Sequence, residues 1–406
     1  MADLDAASSD PLELVRPHLT GPDAAEVLGA ALGAADLRLD GWRVDSVHHR
    51  VGRSLSVLYT ARVGTLDGAG HDLALVAHVD RQPVPTGPVE VRVAGVAVSV
   101  WRFPDDPFLP GLPSATSASR VRELLDRLEV PPGDVGLEVR AYRPSRRAVI
   151  EVAVHTPGAA ARVLYLKVMA GARASRLATV HGELAAAGVP VPGVVGVAPD
   201  QGLLAIRALA GTTLRSALAG DQVVPPADAL VAVSERFAAA NLTAGADPAR
   251  FADPTRHVTV LAALCPDRRD ELEVTAAIAR AVGGPRVPVH GDLHEAQLLV
   301  EGPALVGVLD VDGAGEGWLA NDAGSLVAHL EAVGEVWPQV DARARRYAAE
   351  VAEAYARLLD PRDLARGAAA AWLGLATGPY RVQDVAWERF TRTRIDRAAA
   401  WAARAR

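Results

Sequence analysis

Three side chains that could supply oxygen ligands are closely spaced between residues 289 and 312. Asp292 precedes Gln297 by five residues and Asp310 by eighteen. Two apolar runs flank residues 301–303, so a hairpin over this stretch would bring Gln297 close to Asp310. An amide oxygen and a carboxylate are suitable ligands for a hard cation such as Mg²⁺. The spacing predicts a carboxylate that can act as a base beside a magnesium site.

A single lysine marks a second position that could take part in chemistry. Lys167 is the only lysine among the 42 Lys and Arg residues, and it lies in the strand-like run VLYLKVM. Lysine carries a compact point charge on a flexible stem, whereas arginine presents a planar fork. We therefore expect the Lys167 ammonium to contact a phosphate group.

These motifs resemble the aminoglycoside phosphotransferase family, and the resemblance extends over roughly residues 137–400. The family's His-Gly-Asp loop is found here as residues 290–292, with Gln297 in the place of the usual Asn. The acidic motif that follows is found as Leu-Asp-Val-Asp at residues 309–312. Maltokinase-like sugar kinases of the same branch also have Gln at this position, which favours a sugar or an amino sugar as acceptor.

The resemblance implies a role for each residue of this stretch. Asp292 would be the catalytic base, and Gln297 and Asp310 would be ligands of Mg²⁺. Asp322 matches a later family Asp that supports the loop. His290 is expected to hold the loop by hydrogen bonding rather than to titrate in catalysis.

The preceding lobe has looser matches to the nucleotide site of the family. Lys167 matches the lysine that contacts the nucleotide phosphates. Its usual glutamate partner would lie near Leu177, whereas the acidic residue present is Glu183, so either the helix is shifted or Lys167 lacks that partner. Ala208 and Ala210 lie in a segment that resembles the hinge whose backbone binds adenine.

Apolar periodicity arranges the chain as an α+β protein with a β-rich part before a helical part. By resemblance the fold is the two-lobed protein-kinase-like fold. We expect an N-terminal α+β cap over residues 1–112 and a nucleotide-binding lobe over 113–210. A helical lobe over 211–406 would hold the catalytic loop, the metal site and the acceptor site.

Two segments of the β-rich part resemble each other. RVGRSLSVLYTARV at residues 50–63 is followed by LVAHV, and RPSRRAVIEVAVHT at 143–156 is followed by YLKVM. An internal duplication would place His78 in the position of Lys167. Alternating strands that recur through composition alone are the other explanation.

Composition excludes several classes of protein. The formal net charge of -7 argues against a general nucleic-acid binder. Cys265 is the only cysteine, so neither an internal disulfide nor a cysteine-based zinc site can form. The acidic N-terminus does not resemble a secretory signal, and no apolar run is long enough to cross a membrane. These features predict a cytoplasmic protein without membrane contacts, present as a monomer or homodimer.

The function expected from these features is that of a small-molecule kinase. It would use Mg²⁺ and ATP or GTP to phosphorylate a hydroxyl of a sugar, an amino sugar or an aminoglycoside. Two alternatives stay open: a pseudokinase that binds nucleotide without transferring phosphate, and a metal-dependent hydrolase in which His290, Asp292 and His294 hold the metal. Zinc content tests the hydrolase, and turnover with bound nucleotide tests the pseudokinase.

Overall fold

The computed structural model describes residues 11–33, 37–64, 70–158, 160–247, 253–284 and 286–406. The prediction that no secretory signal is present concerns the first ten residues, which lie outside this part of the chain. Ala34 and Ala35, at the end of the first predicted helical segment, also lie outside it. Among the described residues, no helix has both the length and the apolar character that a membrane crossing requires.

The N-terminal part combines two helices with an antiparallel sheet. The sheet has five strands in the order β1-β2-β3-β5-β4. The side chains of α1 and α2 pack with one face of the sheet in a shared apolar core. Helices α1 and α2 and strands β1 to β5 extend over Pro11–Thr20, Ala24–Gly33, Arg38–Arg50, Ser54–Gly64, Gly70–Asp80, Val89–Val93 and Val96–Arg102.

A second five-stranded sheet follows, in the order β6-β7-β8-β10-β9. Every second residue of β7 is buried, as expected for a strand with one face on a core. A turn at residues 144–146 separates β6 from β7. Helices α3 to α5 extend over Leu112–Ala115, Ala118–Arg127 and Arg173–Ala186. Strands β6 to β10 extend over Asp134–Arg143, Arg147–His155, Arg162–Met169, Val194–Ala198 and Leu203–Arg207.

The two sheets have the same strand order in sequence, with the fifth strand inserted between the third and the fourth. His78 lies on the third strand of the first sheet, and Lys167 lies on the third strand of the second. An equal strand order agrees with an internal duplication, but α5, between β8 and β9, has no counterpart between β3 and β4. The duplication therefore stays a prediction.

The remaining chain is predominantly helical, which confirms the predicted α+β class with a β-rich part before a helical part. The three-part division at residues 112 and 210 stays a prediction. Helices α6 to α14 extend over Leu214–Ala219, Ala227–Ala238, Thr255–Leu264, Arg269–Ala279, Leu319–Val336, Asp341–Tyr355, Pro361–Ala376, Gly378–Arg381 and Trp387–Arg404. Strands β11 to β15 extend over Thr212–Thr213, Arg286–Val289, Leu298–Glu301, Ala304–Val308 and Gly315–Trp318.

Candidate active site

The loop after β12 contains Asp292 and is fixed by a buried carboxylate. Asp322, in the first turn of α10, accepts hydrogen bonds from the backbone N–H of His290 at 2.6 Å and of Gly291 at 2.9 Å. Gly291 has a φ of 84°, which favours glycine over residues with a side chain. Burial raises the pKa of Asp322 to about 6, although the two N–H donors oppose that shift. The loop-supporting position expected for Asp322 is confirmed by these contacts.

The His290 ring also supports the loop, as predicted. Its Nε2 lies 2.8 Å from the carbonyl oxygen of Leu309, and its Nδ1 lies 3.3 Å from the backbone nitrogen of Asp292. The ring is fully buried against Phe237. The Asp292 residue itself is exposed. The arrangement holds the backbone of Asp292 in place and leaves its carboxylate accessible to an incoming molecule.

The hairpin predicted after this loop is confirmed. Strands β13 and β14 pair with Leu298 opposite Val308. Beyond the last pair, the backbone N–H of Leu309 donates to the carbonyl of Gln297 at 2.7 Å. Gln297 and Asp310 are thereby brought to the same end of the hairpin. Asp310 has a φ of 54°, a left-handed conformation that is uncommon for residues other than glycine and is found most often at functional sites.

Two carboxylates at this end of the hairpin contact two cations from the second sheet. The Lys167 ammonium lies 3.2 Å from Asp310 and also contacts Asp312. The Arg147 guanidinium donates to Asp310 at 2.8 and 2.9 Å and to Asp312 at 2.9 Å. Formal charges of +2 and -2 thus face each other across the junction between the sheet and the hairpin.

The ionisation of this cluster follows from its burial and its charges. Burial lowers the pKa of Lys167, but Asp312 and Asp310 outweigh burial and raise it overall. Burial raises the pKa of Asp310, and the Lys167 and Arg147 cations more than reverse that effect and hold it well below its ordinary range. Asp310 is therefore ionised at neutral pH. Two carboxylates that already attract cations suit Mg²⁺ as ligands. The side-chain amide nitrogen of Gln297, the other predicted ligand, lies 3.2 Å from the His294 ring.

Glu183 does not pair with Lys167, so of the two alternatives left open above, the structure shows that Lys167 lacks this partner. Its carboxylate accepts bonds from the backbone N–H of Thr243 at 3.1 Å and contacts the Thr243 hydroxyl. Helix α5 extends over Arg173–Ala186 and includes both Leu177 and Glu183, so a shift of the helix is not the reason. Leu177, where the family usually has its glutamate, is a buried apolar residue. Lys167 therefore takes its carboxylate partners from residues 310 and 312.

The predicted hinge lies between β10 and β11. The backbone N–H of Ala208 donates to the carbonyl of Val163 at 3.2 Å, and Ala210 is exposed. The Ala208 N–H is therefore used inside the protein, so adenine would have to be recognised by other backbone groups of this segment. The binding role of Ala208 and Ala210 stays a prediction.

The histidines of the loop do not form the ligand set of the hydrolase alternative. Both ring nitrogens of His290 contact backbone groups of the loop and hairpin. The His294 ring stacks on His329, with ring centres 4.6 Å apart, and faces Glu295. Among the described residues, the cluster with metal-ligand spacing is His294, Glu295 and His329, without Asp292.

Arg147 is the residue of this site that sequence reasoning missed. It lies at the start of β7, directly after the turn at residues 144–146 in the Arg-rich run YRPSRRAV. In a chain with so many arginines, the sequence offers no sign of which one faces the carboxylates. Asp312 lies beside Asp310 through their shared contacts with Arg147 and Lys167.

Comparison with known proteins gives one family and a set of structures. The model of the phosphotransferase enzyme family, APH, matches residues 156–369. No curated protein sequence matches. Aminoglycoside phosphotransferase APH(4)-Ia is 16% identical, with 70% of this chain and 99% of that chain covered and a TM-score of 0.47. A choline/ethanolamine kinase family protein from Mesorhizobium loti is 18% identical, with 69% and 94% covered and a TM-score of 0.46.

Proposed function

We propose that this chain, which belongs to the phosphotransferase enzyme family, transfers the terminal phosphoryl group of ATP or GTP, with Mg²⁺, to a hydroxyl of a small molecule. The observation that carries the proposal is the contact of Lys167 and Arg147 with Asp310 and Asp312. The proposed Mg²⁺ ligand Asp310 and the side chains proposed to contact phosphate are thereby next to each other, and the loop that holds Asp292 leads into the same hairpin. Phosphoryl transfer needs these parts together.

Each group has one task in this reaction. Asp292 would take the proton of the acceptor hydroxyl, whose oxygen forms the new bond to the terminal phosphorus while the bond to the nucleoside diphosphate breaks. Lys167 would contact the phosphates. Gln297 and Asp310 would hold Mg²⁺, which neutralises phosphate charge when bound.

The support from the loop geometry concerns positioning rather than proton affinity. Asp322 and His290 fix the backbone on both sides of Gly291, so the direction of the Asp292 side chain depends on few rotatable bonds. A base that is held in place contributes roughly 10² to 10⁴ in rate. The acceptor class expected from the sequence, a sugar or an amino sugar, stays a proposal.

The test is the Asp292→Asn variant, with Asp126→Asn on the exposed face of α4 as the matched control. Consumption of ATP and GTP is measured against sugars, amino sugars, aminoglycosides and amino alcohols, and binding of Mg·ADP is measured by calorimetry. We expect Asp292→Asn to bind Mg·ADP like the wild type and to lose roughly 10² to 10⁴ in turnover.

Three outcomes would contradict the proposal. An active Asp292→Asn enzyme would exclude this residue as the base. A wild-type protein that binds nucleotide but phosphorylates none of the acceptors would favour the pseudokinase. Stoichiometric zinc together with nucleotide-independent hydrolysis would favour the hydrolase.

A further inference from the structure

Two histidines and a glutamate lie together where the catalytic loop meets helix α10. His294 and Glu295 belong to the loop, and His329 lies on α10, seven residues after Asp322. Residues seven apart are two turns apart and share one face of a helix. Asp322 and His329 therefore contact the loop from the same face of α10. We call His294, Glu295 and His329 the His-Glu-His cluster.

The cluster has the spacing of a metal site. One potential ligand atom from each of the three residues lies within 4.8 Å of the other two. The Glu295 Oε2 atom lies 3.6 Å from Nδ1 of His329 and 3.8 Å from Nδ1 of His294. Two ligands that bind one tetrahedral ion at about 2.0–2.1 Å are roughly 3.3 Å apart. Both carboxylate–ring distances are therefore within roughly half an ångström of those around a bound ion.

The Glu295 carboxylate has one oxygen free to bind an ion. Its Oε1 atom accepts a hydrogen bond from Nε of Arg215 on α6. Its Oε2 atom is buried and has no hydrogen-bond partner within the described part of the chain. The residue is only 2% exposed, and a buried carboxylate oxygen without a partner is costly. An ion between Oε2 and the two rings would supply the missing partner.

The two histidine rings are placed as ligands. They stack with their centres 4.6 Å apart and their planes 14° apart. Burial lowers the pKa of each ring to about 4, so at pH 7 both are neutral and each has a nitrogen lone pair. The Nδ1 atom of His294 lies 3.3 Å from the backbone nitrogen of Ala296, which is long for a hydrogen bond. Its lone pair is therefore available to an ion.

The donor set indicates the class of ion. Two imidazole nitrogens and one carboxylate oxygen suit Zn²⁺ and related transition-metal ions, whereas Mg²⁺ prefers oxygen ligands. The cluster therefore differs in chemistry from Asp310 and Gln297, the proposed Mg²⁺ ligands. The Arg215 side chain, which pairs with Glu295, is 40% exposed, so solvent screens its repulsion of a cation.

We propose that the His-Glu-His cluster is a Zn²⁺ site, separate from the proposed Mg²⁺ site, with one nitrogen of each ring and Oε2 of Glu295 as ligands. The ion would join α10 to the loop segment between Asp292 and Gln297, in addition to the contacts that Asp322 makes with the same loop. None of the three ligands has a task in the proposed phosphoryl transfer, and no hydrolysis is assigned to the ion.

The test is Zn²⁺ binding by the whole chain, measured by calorimetry in excess Mg²⁺ and without nucleotide. Excess Mg²⁺ competes for sites made of oxygen ligands, and the omission of nucleotide avoids Zn²⁺ bound to phosphates. The variants are Glu295→Gln and His329→Gln. The matched controls are His155→Gln, at an exposed histidine of β7, and Asp310→Asn, at the proposed Mg²⁺ site.

We expect the wild type to bind one Zn²⁺ per chain at this site and each cluster variant to bind it about 100-fold more weakly. Loss of a residue that only orients a metal ligand already costs about 10- to 100-fold in affinity. Both controls should bind Zn²⁺ like the wild type. Zn²⁺ should also raise the Tm of the wild type more than that of Glu295→Gln, because an ion that binds the folded chain stabilises it.

X-ray absorption at the zinc edge gives a measurement on the wild type that needs no variant. Scattering from imidazole rings should show two histidine ligands, with a first shell at about 2.0–2.1 Å. A shell of oxygen atoms alone would assign the ion to carboxylates elsewhere and would overturn the proposal.

Three calorimetric results would also overturn the site: no Zn²⁺ binding by the wild type, equal binding by the wild type and Glu295→Gln, or loss of binding in Asp310→Asn. The proposed function is tested separately. A chain that passes the Asp292 test but does not bind Zn²⁺ through His329 is a kinase without this site. A chain that binds Zn²⁺ through His329 but phosphorylates none of the acceptors has the site without the proposed function.

Discussion

Replacing Arg147 with glutamine should make free divalent cations bind more tightly and nucleotide bind more weakly. In the structure, Lys167 and Arg147 balance the charges of Asp310 and Asp312, so a divalent cation alone meets a site with no net charge. Phosphates would draw Arg147 away from the carboxylates, which leaves them for Mg²⁺. Arg147→Gln removes the competing cation permanently, and it also removes a partner for the phosphates.

The magnitude follows from the contacts of the guanidinium. Arg147 makes three hydrogen bonds of 2.8 to 2.9 Å with the two carboxylates. Hydrogen bonds to charged groups contribute about 1.5 to 3 kcal/mol each, and solvent screening of a side chain that is 36% exposed reduces the sum. A net difference of about 2 kcal/mol corresponds to roughly 30-fold tighter cation binding.

The assay uses Mn²⁺ as a spectroscopic substitute for Mg²⁺, because carboxylate and amide oxygens suit both ions. Free Mn²⁺ is titrated by electron paramagnetic resonance without nucleotide, and Mg·ADP affinity is measured separately. Arg146→Gln, on the same turn, is the control. Equal Mn²⁺ affinity in wild type and Arg147→Gln, or a parallel loss of both affinities, would refute the competition between Arg147 and the metal.

Two further predictions concern the third strands of the two sheets. An acylating ATP analogue should label Lys167, and Mg·ATP should protect Lys167 from this labelling. The Lys167→Arg variant should lose more turnover than nucleotide affinity. Labelling that does not change when nucleotide is added would contradict the assignment. Burial lowers the pKa of His78 to about 4, so the folded protein holds this ring neutral where the unfolded chain would protonate it. The contribution of the neutral ring to the free energy of unfolding is complete above pH 6.5 and is lost as the pH falls toward 4. Acidification from pH 7 to 5 should therefore cost about 2 kcal/mol of unfolding free energy through His78. Urea unfolding of His78→Gln, with exposed His71→Gln as control, should show a smaller loss.

The sequence was sufficient for the parts of the site that depend on local spacing. Gln297 and Asp310 are joined by a short hairpin, and a register fixed by few residues can be derived from the apolar pattern. The position of Asp322 was available from the resemblance alone, since nothing in its local sequence indicates that its carboxylate accepts two backbone N–H groups of the loop.

Contacts between distant segments could not be derived in the same way. Arg147 and Asp310 are 163 residues apart, and several arginines of the turn were equally suitable by composition. Glu183 is an acidic residue on the helix that follows Lys167, but its carboxylate lies beside Thr243 instead. A charge on the correct helix is insufficient, because the face on which it lies decides its partner.

The two sheets show how equal topology can support different chemistry at matching positions. His78 lies opposite Ser56 and Ser99 on the neighbouring strands, and Lys167 lies opposite Val149 and Leu204.

The His78 ring is held at 2.8 Å from the Ser56 hydroxyl, and burial keeps it neutral. Lys167 lies opposite apolar cross-strand neighbours, and within the described part of the chain its ammonium contacts Asp310 and Asp312, which lie beyond the sheet. A side chain whose partners lie within its own sheet stabilises that sheet, whereas one whose partners lie beyond it can exchange them for a ligand. For this reason we propose the phosphate-binding role for the second sheet, whereas the contact of His78 with Ser56 stabilises the first.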